Sequence, residues 1–408
     1  MNEARAPQGR LLLLVPSTSY RIGDFLAAAA RQCLEVAVGS DRRQVLEARS
    51  DGRTLTVDLR NTKRGCAQIE AYAARYPLRA VIGLDEESCL LAAAASAALG
   101  LRHNPVAAVS AALSKEKQRR VLSEADLPVP AFRCLNLGDD LAARAREQSY
   151  PAVLKPLNLS ASRGVIRADD EAEFLAAARR IAAILRSDRA DFLVEAFVPG
   201  PEVALEGLLV DGRLQLLALF DKPDPLEGPF FEETLYITPS RLPAAQQADI
   251  EATAAAACRA LGLREGPLHA ELRLGPDGPV PIELSPRTIG GHCARSLSFG
   301  AGVSLEDLVL RHALGLPLQS LQRETRAAGV MMIPIPRAGY LQSASGEAAA
   351  LAVPGIVDLT LSIPLGQEVV PLPEGDRYLG FIFAKGETPE AVEAALRRAA
   401  DLLHFEIA

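Results

Sequence analysis

The chain predicts an α/β unit followed by α+β units, on three observations. Up to about residue 110, short apolar runs alternate with alanine-rich or amphipathic stretches, the pattern of a parallel sheet covered by helices. Between residues 191 and 285, alternating segments are joined by Pro199-Gly200, Asp211-Gly212 and Pro276-Asp277-Gly278-Pro279, which are turn signals between antiparallel strands. Beyond residue 329, strands return and a helix closes the chain.

Taken in order, residues 11–15 (Leu-Leu-Leu-Leu-Val) read as a buried strand, and Pro16-Ser17-Thr18-Ser19 as a loop. Asp24 is a candidate cap for a helix reaching residue 34. Residues 35–39 and 79–84 read as further strands, and 86–99 as an alanine-rich helix. A helix over 115–125 ends in Leu127-Pro128-Val129-Pro130, a linker signal. Residues 131–190 alternate strand, helix, strand, helix. Residues 191–198, 203–210 and 214–220 then read as successive antiparallel strands. A helix over 244–261 precedes a hairpin. The last unit has strands near 356–362 and 377–384 and a helix over 388–403.

Composition sets the broad class. At 408 residues, two or three domains are expected. Hydrophobic residues make up 49% and charged residues 23%, an ordinary soluble balance. The net charge of −7 argues against nucleic acid as a partner. Six cysteines stand singly at 33, 66, 89, 134, 258 and 293 with no Cys-x-x-Cys, so reduced thiols in a cytoplasm are expected. The apolar run at 11–15 is too short for a signal peptide or a membrane span. No Gly-x-Gly-x-x-Gly, Walker A loop or nucleophile elbow occurs. His103, His312 and His404 lack metal-ligand spacing.

The hairpin carries the most chemistry. Glu271 and Glu283 each lie six residues from Asp277, so a symmetric hairpin sets them opposite one another on one face, with His269 opposite Ser285. The other face would be apolar: Ala270, Leu272 and Leu274 against Val280, Ile282 and Leu284. Facing carboxylates are unfavourable without a cation between them, and hard divalent cations prefer such oxygens. The alternative is a solvated face on which the glutamates pair with Arg273 or Arg287.

Glu271, Glu283, Pro286-Arg287 and Gly290-Gly291 resemble the magnesium-binding end of the ATP-grasp ligases. So do Tyr150-Pro-Ala-Val-Leu-Lys155 with Leu157–Gly164, Lys115 thirteen residues before Pro128, and Phe192-Leu-Val-Glu195-Ala-Phe-Val-Pro-Gly-Pro-Glu202. The blocks follow family order over residues 115–291, and the flanks resemble the carboxylate–amine ligases that include the L-amino acid ligases. The resemblance implies an ATP-grasp fold in three parts. These are a doubly wound pre-ATP-grasp domain over 1–112, an ATP-grasp domain over 113–315 with a small ATP-clamping subdomain at about 128–195, and a biotin-carboxylase-like α+β domain over 316–408.

It also implies roles. Lys115 and Lys155 bind ATP phosphates, with Ser160 and Ser162 folding over them. Glu195, Phe197 and Val198 lie beside adenine, and Glu202 takes the ribose hydroxyls. Glu271, Glu283 and Ser285 hold magnesium, expected as two ions with manganese as the alternative. Many relatives carry asparagine where Ser285 stands. Arg287 stabilises an acyl-phosphate. His269 is either catalytic or structural. Glu233 and Tyr236 face the substrate, with tyrosine where amino acid ligases place histidine. Gly290 and Gly291 let backbone approach it closely.

The expected function is ATP-dependent ligation of a carboxylate, of an amino acid, to an amine through an acyl-phosphate, in a cytoplasmic homodimer. The rivals are a carboxylase-like enzyme activating bicarbonate or formate, and a nucleotide-binding regulator without turnover.

Overall fold

A computed structural model describes residues 9–43, 47–300, 302–318 and 320–408. The start of the first expected unit, residues 1–8, lies outside the described residues. The N-terminal unit is a four-stranded parallel sheet in the order Thr54–Thr56, Val36–Ser40, Arg10–Leu14, Leu78–Gly83. Arg10–Leu14 is central and buried along its whole length, which explains its unbroken apolar run. Helices Ile22–Arg31, Thr62–Ala73 and Glu86–Ala98 cover the sheet. Asp24 is not the cap expected of it. Arg21 stands at the N-cap, and the Asp24 carboxylate, in the first turn, accepts from Arg295 at 3.1 Å. Glu86–Ala98 begins with a capping box made by Asp85 and Ser88, which fixes Glu86 at the mouth of the helix.

Phe132–Asn136, Asp191–Ala196, Ala152–Pro156 and Ile166–Ala168 form a small antiparallel sheet, packed against the helix Glu171–Leu185. The strand read at 191–198 belongs to this sheet and not beside the strand read at 203–210. Pro199, Gly200 and Pro201 carry the chain from one sheet to the next, and proline supplies no N–H for a continuous ladder.

The second sheet has eight antiparallel strands. Their order is Gly278–Ser285, Gly266–Gly275, Glu202–Val210, Arg213–Asp221, Leu235–Thr238, Ala327–Ile333, Gly380–Gly386, Ile356–Leu361. It runs from the glutamate hairpin at one edge into the C-terminal unit at the other. The helix Ala244–Leu261 packs on its hairpin half and Pro389–Ala400 on its C-terminal half. Glu368–Val369, Gly339–Ser345 and His404–Ile407 add a three-stranded sheet. The six cysteines are unpaired. Among the described residues, no helix is long and apolar enough to cross a membrane.

The small sheet is tied to the C-terminal unit beside the loop that follows Ala152–Pro156. Gly164 N–H donates to the Pro373 carbonyl at 2.9 Å. Arg180 forms a forked pair with Glu374 at 2.6 and 2.9 Å. Arg163 lies 3.9 Å from Asp376.

Candidate functional site

The three units meet around one cleft of about 940 Å³. All but one of the site residues expected from sequence line it; the exception is Ser285, which is buried beside Glu283.

The hairpin register sets Glu271 opposite Glu283 and His269 opposite Ser285. A bulge between Glu271 and Leu272 then shifts the pairing by one, so Leu272 faces Pro281 and Arg273 faces Val280. The apolar face therefore departs from strict alternation. Ala270, Leu272 and Leu284 are buried in the core, whereas Ile282 turns to the cleft and its carbonyl accepts from Arg119 at 2.5 Å. Neither glutamate pairs with Arg273, and Arg287 goes to Glu86 at 2.5 Å. Ser285 donates to Glu283 at 3.2 Å and to Glu86 at 3.3 Å.

Behind Glu271 lies a buried chain of charge. His269 Nδ1 sits 2.6 Å from Glu206, and its Nε2 sits 3.4 Å from Glu271. Burial disfavours the imidazolium, but the two carboxylates outweigh it and lift His269 to about 9. Lys222 lies among three carboxylates, 2.7 Å from Glu202, 3.1 Å from Glu271 and in contact with Glu233. Burial raises Glu233 to about 7, with Lys222 opposing and Glu271 and Glu202 adding to the rise. Burial also works against the charged form of Glu271, yet Lys222 and His269 hold it well below the usual range. Glu202, Glu233 and Glu271 offer oxygen atoms within 4.8 Å of one another. Tyr236 is buried beside this group, with the Lys222 ammonium 4.9 Å from its ring centre.

On the facing wall, Lys155 is the last residue but one of a fully buried strand and lies 2.6 Å from Glu195. Arg119 meets the same carboxylate at 2.6 Å. Lys115, one helical turn before Arg119, donates to the Leu159 carbonyl at 2.7 Å and so grips the loop 157–164. Ala161 and Ser162 have positive φ, which bends this loop over the cleft beside Ser160. Phe197 and Val198 follow at the end of the small sheet. Arg273 caps the Phe197 ring and donates to the Val198 carbonyl at 2.9 Å.

At the opposite end, Gly290 and Gly291 run under Arg21 and Met332. Gly291 has φ of +59°, and a Cβ there would stand 2.6 Å from the Met332 sulfur, so a side chain would strain the backbone and displace Met332. Gly291 N–H donates to the Tyr20 hydroxyl at 2.6 Å. Sequence reading singled out neither Lys222, Glu206, Glu86 nor Arg119. Two of them carried a local signal: Arg119 is four residues from Lys115 on one helix face, and Glu206 is four from Glu202 on one strand face.

An ATP-grasp domain profile matches residues 148–296, and the profile of the L-amino acid ligase C-terminal domain 2 matches residues 331–408. The crystal structure of an L-amino acid ligase from Bacillus licheniformis superposes with a TM-score of 0.80 at 26% identity, over 98% of this chain and 99% of that one. A D-alanine–D-alanine ligase from Ralstonia pickettii is 30% identical over 225 residues, 52% of this chain and 66% of the relative. A carboxyaminoimidazole ribonucleotide synthase from Aspergillus clavatus, crystallised with ATP, shares the fold with a TM-score of 0.73 at 18% identity, over 97% of this chain and 98% of that one. The chain spans about two thirds or less of the length of its first curated relatives.

Proposed function

For a chain that belongs to the ATP-grasp family, we propose an ATP-dependent ligase that joins the carboxylate of an amino acid to an amine, through an acyl-phosphate, with release of ADP and phosphate. The observation that carries this reading is the convergence on one cleft of the facing Glu271 and Glu283, Arg287, and the lysines Lys115 and Lys155. The proposed donors, Glu271, Glu283 and Ser285, offer only oxygen atoms, two of them carboxylates, which suits magnesium. Glu271 and Glu283, with Ser285, would hold magnesium, as two ions, or manganese as the alternative, and the metal would supply positive charge to offset that on the transferring phosphoryl group.

The chain's own groups supply position and charge. Lys115 and Lys155 hold the phosphates, with Ser160, Ser162 and the amides of their loop above them. Glu195, Phe197 and Val198 border the adenine, and Glu202 accepts from the ribose hydroxyls. Ser285 aligns Glu283 by donating to it, and His269 aligns Glu271 from behind. Arg287 stays charged throughout and stabilises the acyl-phosphate and the tetrahedral intermediate. A carboxylate oxygen of the substrate attacks the γ-phosphorus, and ADP leaves. The amine nitrogen then attacks the acyl carbon, and phosphate leaves with that oxygen. Glu233, Tyr236, Gly290 and Gly291 border the substrate.

Oxygen labelling tests the order of these steps. A substrate labelled in its carboxylate gives phosphate carrying one labelled oxygen and unlabelled ADP. Labelled AMP with pyrophosphate would overturn the acyl-phosphate route. Phosphate release with bicarbonate in place of the amino acid would favour a carboxylase-like reading.

A further inference from the structure

The proposed ligase reading leaves the amino acid's side chain unspecified, and the cleft beyond Glu233 bears on it. The chain has seven tyrosines, twelve phenylalanines and no tryptophan. Four of its aromatic side chains form a row at this end. Tyr20 lies 4.4 Å from the His292 ring, His292 lies 5.0 Å from Phe381 in an edge-on arrangement, and Phe381 lies 6.1 Å from Tyr378. All four line the cleft, and Met332 lies beside them.

The row is built from all three parts of the chain: Tyr20 from the N-terminal unit, His292 from the segment after the hairpin, Tyr378 and Phe381 from the C-terminal unit. Its geometry is fixed at several points. The Tyr20 hydroxyl already accepts the Gly291 N–H. Gly291 has φ of +59° with the Met332 sulfur close above it, and His292 next to it has φ of 54°, a left-handed conformation uncommon outside glycine. Phe381 sits in a paired strand and is almost fully buried. Glu233 lines the same cleft as Tyr378 and Cys293.

We propose that this row is the side-chain recognition wall for the carboxylate-donating amino acid, and that the enzyme takes donors with an aromatic or long aliphatic side chain. Glu233 lines the cleft beside Lys222, and on the ligase reading it is taken to hold the substrate ammonium. An ammonium so paired is no nucleophile, so the amino acid held there is the donor and not the attacking amine. With its ammonium at Glu233, its side chain extends along the rings. Flat apolar groups gain most from such a surface, through area removed from water and through ring–ring contact. Small side chains leave the wall uncovered, and an acidic side chain gains nothing from the rings themselves, its only counter-charges among the described residues being Arg21 and Arg377 at the edge of the row.

The test pairs turnover with direct binding. Wild-type enzyme is assayed for ADP release with amino acid pairs, and calorimetry measures L-phenylalanine, L-leucine, L-alanine and L-glutamate binding in the presence of magnesium and a non-hydrolysable ATP analogue. Expected is a donor kcat/KM for phenylalanine or leucine roughly 100-fold above that for alanine. Tyr378→Ala should cut that ratio roughly tenfold. Phe381→Leu, which keeps apolar volume in the core, should lower phenylalanine more than leucine. Equal or better use of alanine or glutamate, or a ratio unmoved in both variants, overturns the proposal and leaves the ligase reading standing. Phenylalanine binding that depends on Tyr378, with no ADP formed from any pair, supports the wall and sinks the ligase reading. No binding and no turnover with any amino acid overturns both.

Discussion

Burial alone would push the Glu195 carboxyl up, but Arg119 and Lys155, each 2.6 Å away, pull it down to about 2. A carboxyl whose folded pKa is depressed stabilises the fold above its ordinary value near 4.5, and that contribution is lost as pH falls toward 2. Glu195→Gln should therefore cost about 3 kcal/mol at neutral pH. The gap in Tm between variant and wild type should narrow as pH is lowered from neutrality through the acid range, which thermal melts at several pH values would check. Lys155→Ala removes a charged contact expected at the phosphates. ATP affinity should fall by about tenfold to a hundredfold, read by calorimetry. Glu283→Gln takes one carboxylate from the facing pair. Turnover should drop by at least about a hundredfold with the melting curve retained, and normal rates at saturating magnesium would count against the metal assignment. Glu271 and Glu283 were legible from sequence because a symmetric turn fixes what faces what. The Arg119–Glu195 pair was not, because its partners stand 76 residues apart and only the docking of a helix on the small sheet brings them together.

Elements were legible where a period or a turn pair marked them. The helix Ala244–Leu261 and the hairpin turn lie where their patterns put them. The bulge after Glu271 left no such mark, since one extra residue changes no composition, and it turned Ile282 from core to cleft. The helices Thr62–Ala73 and Leu305–Ala313 were passed over, although Asn61 and Ser304 cap them. The ties between the phosphate-side loop and residues 373–376 invite a graded test. The Arg180–Glu374 pair is about two-fifths exposed on each side, so screening keeps it weak. Glu374→Ala should raise KM for ATP no more than about fivefold. Gly164 has φ of +71°, and a Cβ there would stand 2.6 Å from the Pro156 ring. Gly164→Ala should therefore raise KM for ATP more than Glu374→Ala does, as steady-state kinetics on both variants would show.

For the molecule as a whole, the order of units could be read along the chain, but the sheet each strand joins could not. Asp191–Ala196 and Glu202–Val210 are neighbours in sequence and lie in different sheets, whereas Leu235–Thr238 and Ala327–Ile333 are far apart and pair directly. Long-range pairing is decided by which buried faces fit, which no local pattern records. The proposed division at 315/316 is bridged by this ladder, with Tyr236 facing Val330 and Ile237 facing Gly329. A chain ending before Ala327 should then expose the Leu235–Thr238 edge and aggregate, as its yield and light scattering would reveal. The same ladder bears on engineering by recombination. A C-terminal unit borrowed from a relative would arrive as half of a sheet, and its first strand would have to match the register of the recipient's Leu235–Thr238. Crossovers placed in the connecting segment would cut a cooperative unit in two. Point exchanges at individual cleft positions leave every strand pairing intact, and they are the more tractable route to altered substrate choice.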